Sequence, residues 1–213
     1  MIKRVIFDID NTLIDWKEEY NQEINKALDE LKIQYTEDDC KKIGEAISDY
    51  EKDNYIFNLD KTSEFINKQL GKNYPKELVY KIIEKWGKCT PEKIEPQIEE
   101  VLQYLSKKYE MVILTDWYKE PQLNRLKILK IDKYFLEIYS AENFRRKPFP
   151  DGFMLAKGSN KPEECVMIGD DFERDIKGAI NCGINAIWYT HKNNNVQYQG
   201  KIINNLIQLK EIL

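Results

Sequence analysis

Histidine is nearly absent from this chain: His191 is the only one among 213 residues. That scarcity argues against a Ser-His-Asp relay and against a multi-histidine metal centre. His191 itself sits in the polar stretch His191-Lys192-Asn193-Asn194-Asn195 and reads as surface, with 193–195 a loop. Cysteine is sparse too. Cys40, Cys89, Cys165 and Cys182 lie far apart and form no C-x-x-C, so reduced thiols are expected rather than a disulfide framework. No stretch approaches 18 consecutive apolar residues, and the run after Met1 is far too short for a signal-peptide core. The expectation is a soluble, cytoplasmic protein with no membrane partner. An excess of basic charge is also missing. A formal net charge of -4 gives no electrostatic reason to expect nucleic acid.

What is present is ordinary globular material: 42% apolar and 33% charged residues, in a chain long enough to bury a core without staples. Val5-Ile6-Phe7 reads as a buried strand that runs into Asp8-Ile9-Asp10-Asn11-Thr12. The next stretch carries apolar residues at helical spacing: Tyr20, Ile24, Ala27, Leu28 and Leu31, then Cys40, Ile43, Ile47 and Tyr50. Thr36 with Asp39 predicts a capping pair, Thr62 a cap for a third helix, and Pro75 the first turn of a fourth. Beyond Pro91 strands and helices alternate. Strands are expected at 111–114, 136–139, 165–168 and 184–188, and helices at 97–108, 122–129, from about 150, and at 173–181 before Gly183. Such alternation argues for α/β, with a doubly wound parallel sheet. The expected organisation is a core of residues 1–15 and 93–213, interrupted by an all-helical insertion, 16–92. The insertion holds 13 basic and 17 acidic residues and the core 20 of each, so the insertion reads as an acidic, solvated bundle.

The chemistry-bearing residues fall where the predicted strands end. Asp8 and Asp10 close the first, Thr115 and Asp116 the second, and Asp170 and Asp171 the fourth, while Lys147 follows the third. Ligands of open α/β sheets bind outside the carboxyl ends of the strands, so one cavity can gather them. Clustered carboxylates without histidine or cysteine favour Mg²⁺. A lysine and a hydroxyl beside that metal suit a phosphoryl group. The available nucleophile is then a carboxylate, Asp8, with Asp10 as the proton donor and acceptor. With 15 Asp and 6 Thr in the chain, D-x-D-x-T arises by chance only about 0.03 times.

Four segments in this order resemble the motifs of the haloacid dehalogenase (HAD) superfamily: Val5 to Leu13, Ile113 to Asp116, Lys147 to Pro150, and Ile168 to Ile176. The resemblance covers essentially the whole chain. It implies a Rossmannoid HAD-like core, with the helical insertion as a C1 cap. It also implies Asp8 as nucleophile and Asp10 as acid/base, with the Asp10 backbone carbonyl on Mg²⁺. Thr115 and Lys147 would hold the phosphoryl group, and Asp170 would ligate the metal with Asp175, or Asp171, in support. Thr12 would order the loop after the first strand. Asp116 and Trp117 depart from the Asn-Gly of many members; the resemblance leaves Asp116 a substrate-binding residue, through its backbone N–H or a specific substrate contact. Gln122-x-x-Arg125-Leu126 is similar to members acting on nucleotides or acylneuraminate phosphates.

The expected activity is Mg²⁺-dependent hydrolysis of a small phosphorylated metabolite through an aspartyl-phosphate. A phosphomutase or phosphotransferase on the same scaffold is the alternative. A non-enzymatic phospho-Asp receiver module is remote, because its Thr and Lys would follow both acidic clusters rather than separate them. Dehalogenation is disfavoured, since those members lack an acid/base at the position of Asp10.

Overall fold

The computed structural model describes residues 1–15, 21–91, 94, 96–190 and 198–213. His191, the asparagines 193–195, Tyr20 and both expected domain boundaries lie at or within the remainder, outside the described residues. Six strands form one parallel sheet in the order β3-β2-β1-β4-β5-β6: β1 Arg4–Phe7, β2 Glu110–Thr115, β3 Ile138–Ser140, β4 Cys165–Gly169, β5 Asn185–Tyr189 and β6 Lys201–Ile203. The first strand is thus central. Val5, Ile6 and Phe7 are all fully buried, as a strand covered on both faces requires.

Alternation along the strands sorts the core into two layers. Val5, Phe7, Ile113 and Ile168 face one side, under α5 (Pro96–Leu105), α6 (Lys119–Ile128) and α9 (Leu209–Ile212). Ile6, Leu114 and Met167 face the other, against Phe153 and Ala156 of α7 (Pro150–Ala156) and Ala179 of α8 (Gly178–Asn181). This is the doubly wound arrangement expected from the alternation.

Between β1 and β2 stand α1 (Glu23–Glu30), α2 (Glu37–Asp53), α3 (Leu59–Leu70) and α4 (Glu77–Trp86), with no strand among the described residues there. Their apolar faces form a cluster of their own, which Trp117 and Tyr118 join from the segment after β2. Thr36 and Asp39 make the expected reciprocal capping box on α2. Thr62 does not cap α3. Asn58 does, accepting the Lys61 N–H at 3.0 Å, and buried Thr62 bonds the Asn58 carbonyl and the Tyr118 hydroxyl instead. An asparagine four residues earlier reached the orphan donors first. Pro75 lies just ahead of the Lys76 cap of α4, not in its first turn.

Two further differences bear on the sheet and the site. The strand at 185–189 is not the last. Lys201–Ile203 adds a parallel edge strand, too short to carry a readable pattern. The helix expected at 173–181 is divided: Phe172–Lys177 forms a wide π turn that passes into α8. Gly183 follows at φ 75°, the left-handed position expected after a helix end. The four cysteines are free thiols. No described helix is long and apolar enough to cross a membrane.

Candidate active site

Strand register explains why distant residues meet. Phe7 pairs with Ile113 on one side and Ile168 on the other. Asp8, the next residue, is therefore level with Leu114 and Gly169, one step short of Thr115 and Asp170. Adjacent strands lie only about 4.8 Å apart, so these strand-end residues gather at one rim. Asp8, Thr115 and Asp170 line a cavity of about 210 Å³ together with Asp10, Lys147 and Asp175. Asp8, Asp10, Thr115, Asp116, Lys147, Asp170 and Asp175 thus face one pocket, while Thr12 and Asp171 are not among its lining residues.

At its floor the buried Lys147 ammonium lies 2.6 Å from Asp8 Oδ1 and 2.6 Å from Asp175 Oδ1. Asp8, Asp170 and Asp175 each offer a carboxylate oxygen, and these oxygens lie within 4.8 Å of one another. Burial pushes the Asp8 carboxyl well above the usual range. Lys147 opposes that rise, while Asp175, Asp10 and Asp170 reinforce it. Asp170 is pushed up to about 6 by burial and then by Asp175. Burial pulls the Lys147 ammonium down, but Asp175, Asp8 and Asp116 outweigh it and hold Lys147 charged. A crowd of all-oxygen ligands whose ionised forms are strained against each other suits a hard divalent cation such as Mg²⁺.

The π turn settles which acidic residue joins the cluster. Asp171 is turned away, its side chain accepting the Glu173 and Arg174 N–H groups at 3.0 and 2.9 Å and pairing with the Arg174 guanidinium at 2.7 Å. Those donors hold it below the usual carboxylate range against the upward push of burial. The wide turn swings Asp175 inward, where it is 1% exposed and its Oδ2 accepts the Asp171 N–H at 3.0 Å. A Cβ at Gly169 would sit 2.3 Å from Asp175 Oδ2, so only glycine leaves room for this approach.

Asp10 stands beside the cluster, held from behind. Arg125, fully buried on α6, donates to Asp10 Oδ1 at 2.5 Å, and Gln122 Nε2 donates to Oδ2 at 2.6 Å and to Thr115 Oγ1 at 3.0 Å. Arg125 also donates to the Cys89 carbonyl, and Asn124 to the Gly87 carbonyl, just after α4. The turn carrying Asp10 is closed by backbone bonds from Leu13 and Ile14 to Ile9. Thr12 Oγ1 is buried with no partner among the described residues, so the backbone orders this loop, not the threonine hydroxyl. Asp116 accepts the Lys147 backbone N–H at 2.8 Å and faces Arg174 at 3.4 Å. It fastens the loop that bears the lysine.

Sequence reasoning missed Glu51 of α2, Asn11, Trp117 and Arg174 as lining residues. Glu51 is one of 17 acidic residues in its segment and carries no distinguishing spacing. Its carboxyl is pushed up to about 7 by burial, against the Trp117 indole N–H and Arg146. Gln122 and Arg125 were visible as a spacing, one helical turn apart on one face, but the buried Asp10 partner was not.

Residues 5–189 match the haloacid dehalogenase-like hydrolase family. Among curated relatives, human N-acylneuraminate-9-phosphatase is 22% identical, covering 90% of this chain and 84% of that protein. Glyceraldehyde 3-phosphate phosphatase of Pyrococcus furiosus is 27% identical, covering 100% and 93%. Among solved structures, 2-haloacid dehalogenase from Pseudomonas syringae pv. tomato superposes with a TM-score of 0.78 at 22% identity, covering 100% and 98%. A HAD phosphatase from Thermococcus onnurineus gives 0.68 at 22% identity, covering 99% and 97%. With a family match across most of its length and a fold shared with these solved structures, this chain belongs to the haloacid dehalogenase-like hydrolases.

Proposed function

We propose that the chain is a Mg²⁺-dependent phosphatase that hydrolyses a small phosphate monoester through an aspartyl-phosphate on Asp8. The observation that carries this reading is the Lys147 ammonium placed between Asp8 and Asp175, with Asp170 in the same cluster and Asp10 and Thr115 on the same rim. The names of the curated relatives are in keeping with it, since both are phosphatases of small phosphorylated compounds.

Asp8 attacks phosphorus with one carboxylate oxygen, and the bond from phosphorus to the leaving oxygen breaks. Asp10 gives that oxygen its proton. Asp10 then takes a proton from water as the water oxygen attacks the acyl-phosphate, releasing inorganic phosphate and restoring Asp8. Lys147 and the Thr115 hydroxyl hold the phosphoryl oxygens, and fixed positive charge there stabilises the spreading negative charge. Asp8, Asp170 and Asp175, with the Asp10 backbone carbonyl, would hold the cation. When bound it offsets the facing carboxylates and draws charge from the phosphoryl group. Gln122 and Arg125 keep Asp10 aimed. Asp116 acts through the backbone of Lys147 rather than on phosphate directly. The helices between β1 and β2 form the cap over this rim, so that residues 16–92 are cap and 1–15 with 93–213 are core. Glu51 is its described contribution to the pocket.

The test is release of inorganic phosphate from 4-nitrophenyl phosphate with and without Mg²⁺. Asp8→Asn is expected to abolish turnover while keeping the fold. Undiminished turnover by that variant removes Asp8 from the chemistry.

A further inference from the structure

Among the described residues, Glu51 is the only side chain from α1–α4 that lines the pocket. It comes from the last turn of α2 and reaches across to the core, where Trp117 Nε1 donates to its Oε1 at 3.2 Å. That indole is fixed. Trp117 is 7% exposed and packs against Trp86 and Tyr118, with ring centroids at 6.5 and 6.1 Å. Trp117 is also where the sequence departs from its family's usual motif, and the departure supplies the N–H that anchors a cap carboxylate. An indole offers one donor, and it is the only hydrogen-bond donor to the Glu51 side chain among the described residues. The rest of that carboxyl's accepting capacity faces the cavity.

The surrounding charges decide what it can accept. Asp8, Asp10, Glu51, Asp116, Asp170 and Asp175 all line the pocket. The described cations that line it are both engaged: Lys147 with Asp8 and Asp175, and Arg174 with Asp171 and Asp116. Lys147 and the bound cation are what a phosphoryl group requires. Arg146 also acts on Glu51, but it donates to the Lys52 carbonyl at 2.9 Å and does not line the pocket, so among the described lining residues no further cation is offered to a second anionic group. The cavity, at about 210 Å³, is also small beside the roughly 300–1,000 Å³ of drug-sized sites.

We propose that Glu51 is a specificity residue for the leaving group, accepting a hydrogen bond from a substrate hydroxyl and repelling a substrate carboxylate. The preferred substrates are then short, hydroxylated phosphate monoesters with no second anionic group. This rests on the phosphatase reading above and deepens it. It sets the enzyme on the side of a neutral triose phosphate rather than a carboxylated sugar phosphate, the two chemistries its relatives' names span. A site built to accept from a hydroxyl discriminates strongly, because a misfit leaves its own polar group unpaired.

A matched pair of probes tests it. Glycerol 3-phosphate and 3-phosphoglycerate have the same carbon count and differ in a carboxylate. At pH 8, above the Glu51 value of about 7, wild-type enzyme with Mg²⁺ is expected to show kcat/KM for the first at least about 10-fold above the second, since like charges at close quarters are strongly unfavourable. Glu51→Gln keeps the shape and an acceptor for Trp117 but removes the charge. It should bring the ratio to within about threefold of one, mainly through a lower KM for 3-phosphoglycerate. Thermal melting of the variant verifies its fold. The wild-type ratio stands by itself if the variant does not fold. Equal or better turnover of 3-phosphoglycerate by wild type, or a ratio untouched by Glu51→Gln in a folded variant, overturns the proposal. Turnover of 4-nitrophenyl phosphate alone, with neither glycerol probe accepted, overturns the selectivity while the phosphatase reading stands. Loss of all three activities overturns both.

Discussion

Replacing Lys147 by methionine removes one charge and little volume, and its consequence can be worked from the site. The Lys147 side chain is 3% exposed, and its two partners are 9% and 1% exposed. Taking one partner from a buried pair leaves the other desolvated and unmatched, which costs about 3–5 kcal/mol. Here two carboxylates lose their cation at once and Asp170 adds a third charge, so the upper half of that range applies. In a chain of this size each kcal/mol moves the midpoint by about 2–4 °C, giving a fall of about 8–20 °C at pH 8 in EDTA. The pH dependence has a definite sign. Asp8 and Asp170 have folded values above their unfolded ones, Asp170 at about 6. Such groups favour the folded state most below the unfolded value of about 4, and that advantage is lost as pH rises through the folded value. Without Lys147 both carboxyls rise further, so the deficit of the variant should shrink towards pH 5 and widen towards pH 8. The raised value of Lys147 works the other way. Its contribution is complete below the unfolded value of about 10.4 and adds no slope between pH 5 and 8. Differential scanning calorimetry of both proteins in EDTA, at pH steps from 5 to 8, measures this. A fall below about 3 °C at pH 8, or a deficit unchanged across the range, refutes the account of the ammonium as the cluster's counter-charge.

Other sites give sharper kinetic readouts. Arg125→Met should lower kcat by about 10–100-fold, part of the 10²–10⁴-fold that proton transfer supplies, with KM for an aryl phosphate nearly unchanged. Arg125→Lys should restore some of it, and a pH–rate profile identical to wild type in the methionine variant would remove Arg125 from any role at Asp10. Gly169→Ala forces a Cβ into the space of Asp175 Oδ2. It should destabilise by about 1–3 kcal/mol and weaken Mg²⁺ binding by about 10–100-fold, as displaced ligands and their supports do. Titration calorimetry reads the affinity, and unaltered Mg²⁺ binding there would count against Asp175 as a ligand.

The parts of the molecule legible in the sequence are those governed by local rules. Val5-Ile6-Phe7 reads as a buried strand from its β-branched and aromatic residues alone, and the polar residues after it then fall at the strand end. The Thr36–Asp39 box was readable for the same reason, because its two partners are three residues apart. What escaped was set by tertiary partners. Thr62 has a capping residue's chemistry, yet its hydroxyl is claimed by Tyr118, 56 residues away. Glu51 becomes a lining residue only because α2 is laid across the end of β2, where Trp117 waits. Arg125 looks like a solvated helix residue until Asp10 and the Cys89 carbonyl arrive from 115 and 36 residues away. The π turn at Phe172–Lys177 has no periodic signature, since it shifts a helix by a single residue.

Helix α6 grips two things at once: the carbonyls of Gly87 and Cys89 through Asn124 and Arg125, and the Asp10 carboxylate through Arg125 and Gln122. Gly87 also lies so close to Pro121 that an added Cβ would approach its Cα to 2.7 Å. The segment leading out of the four-helix bundle is therefore mechanically geared to Asp10, the proposed proton donor, and through Gln122 to Thr115 as well. On the proposed mechanism a disturbance at residue 87, remote from any reacting atom, would travel along a ten-residue rod and surface chiefly as slower bond cleavage.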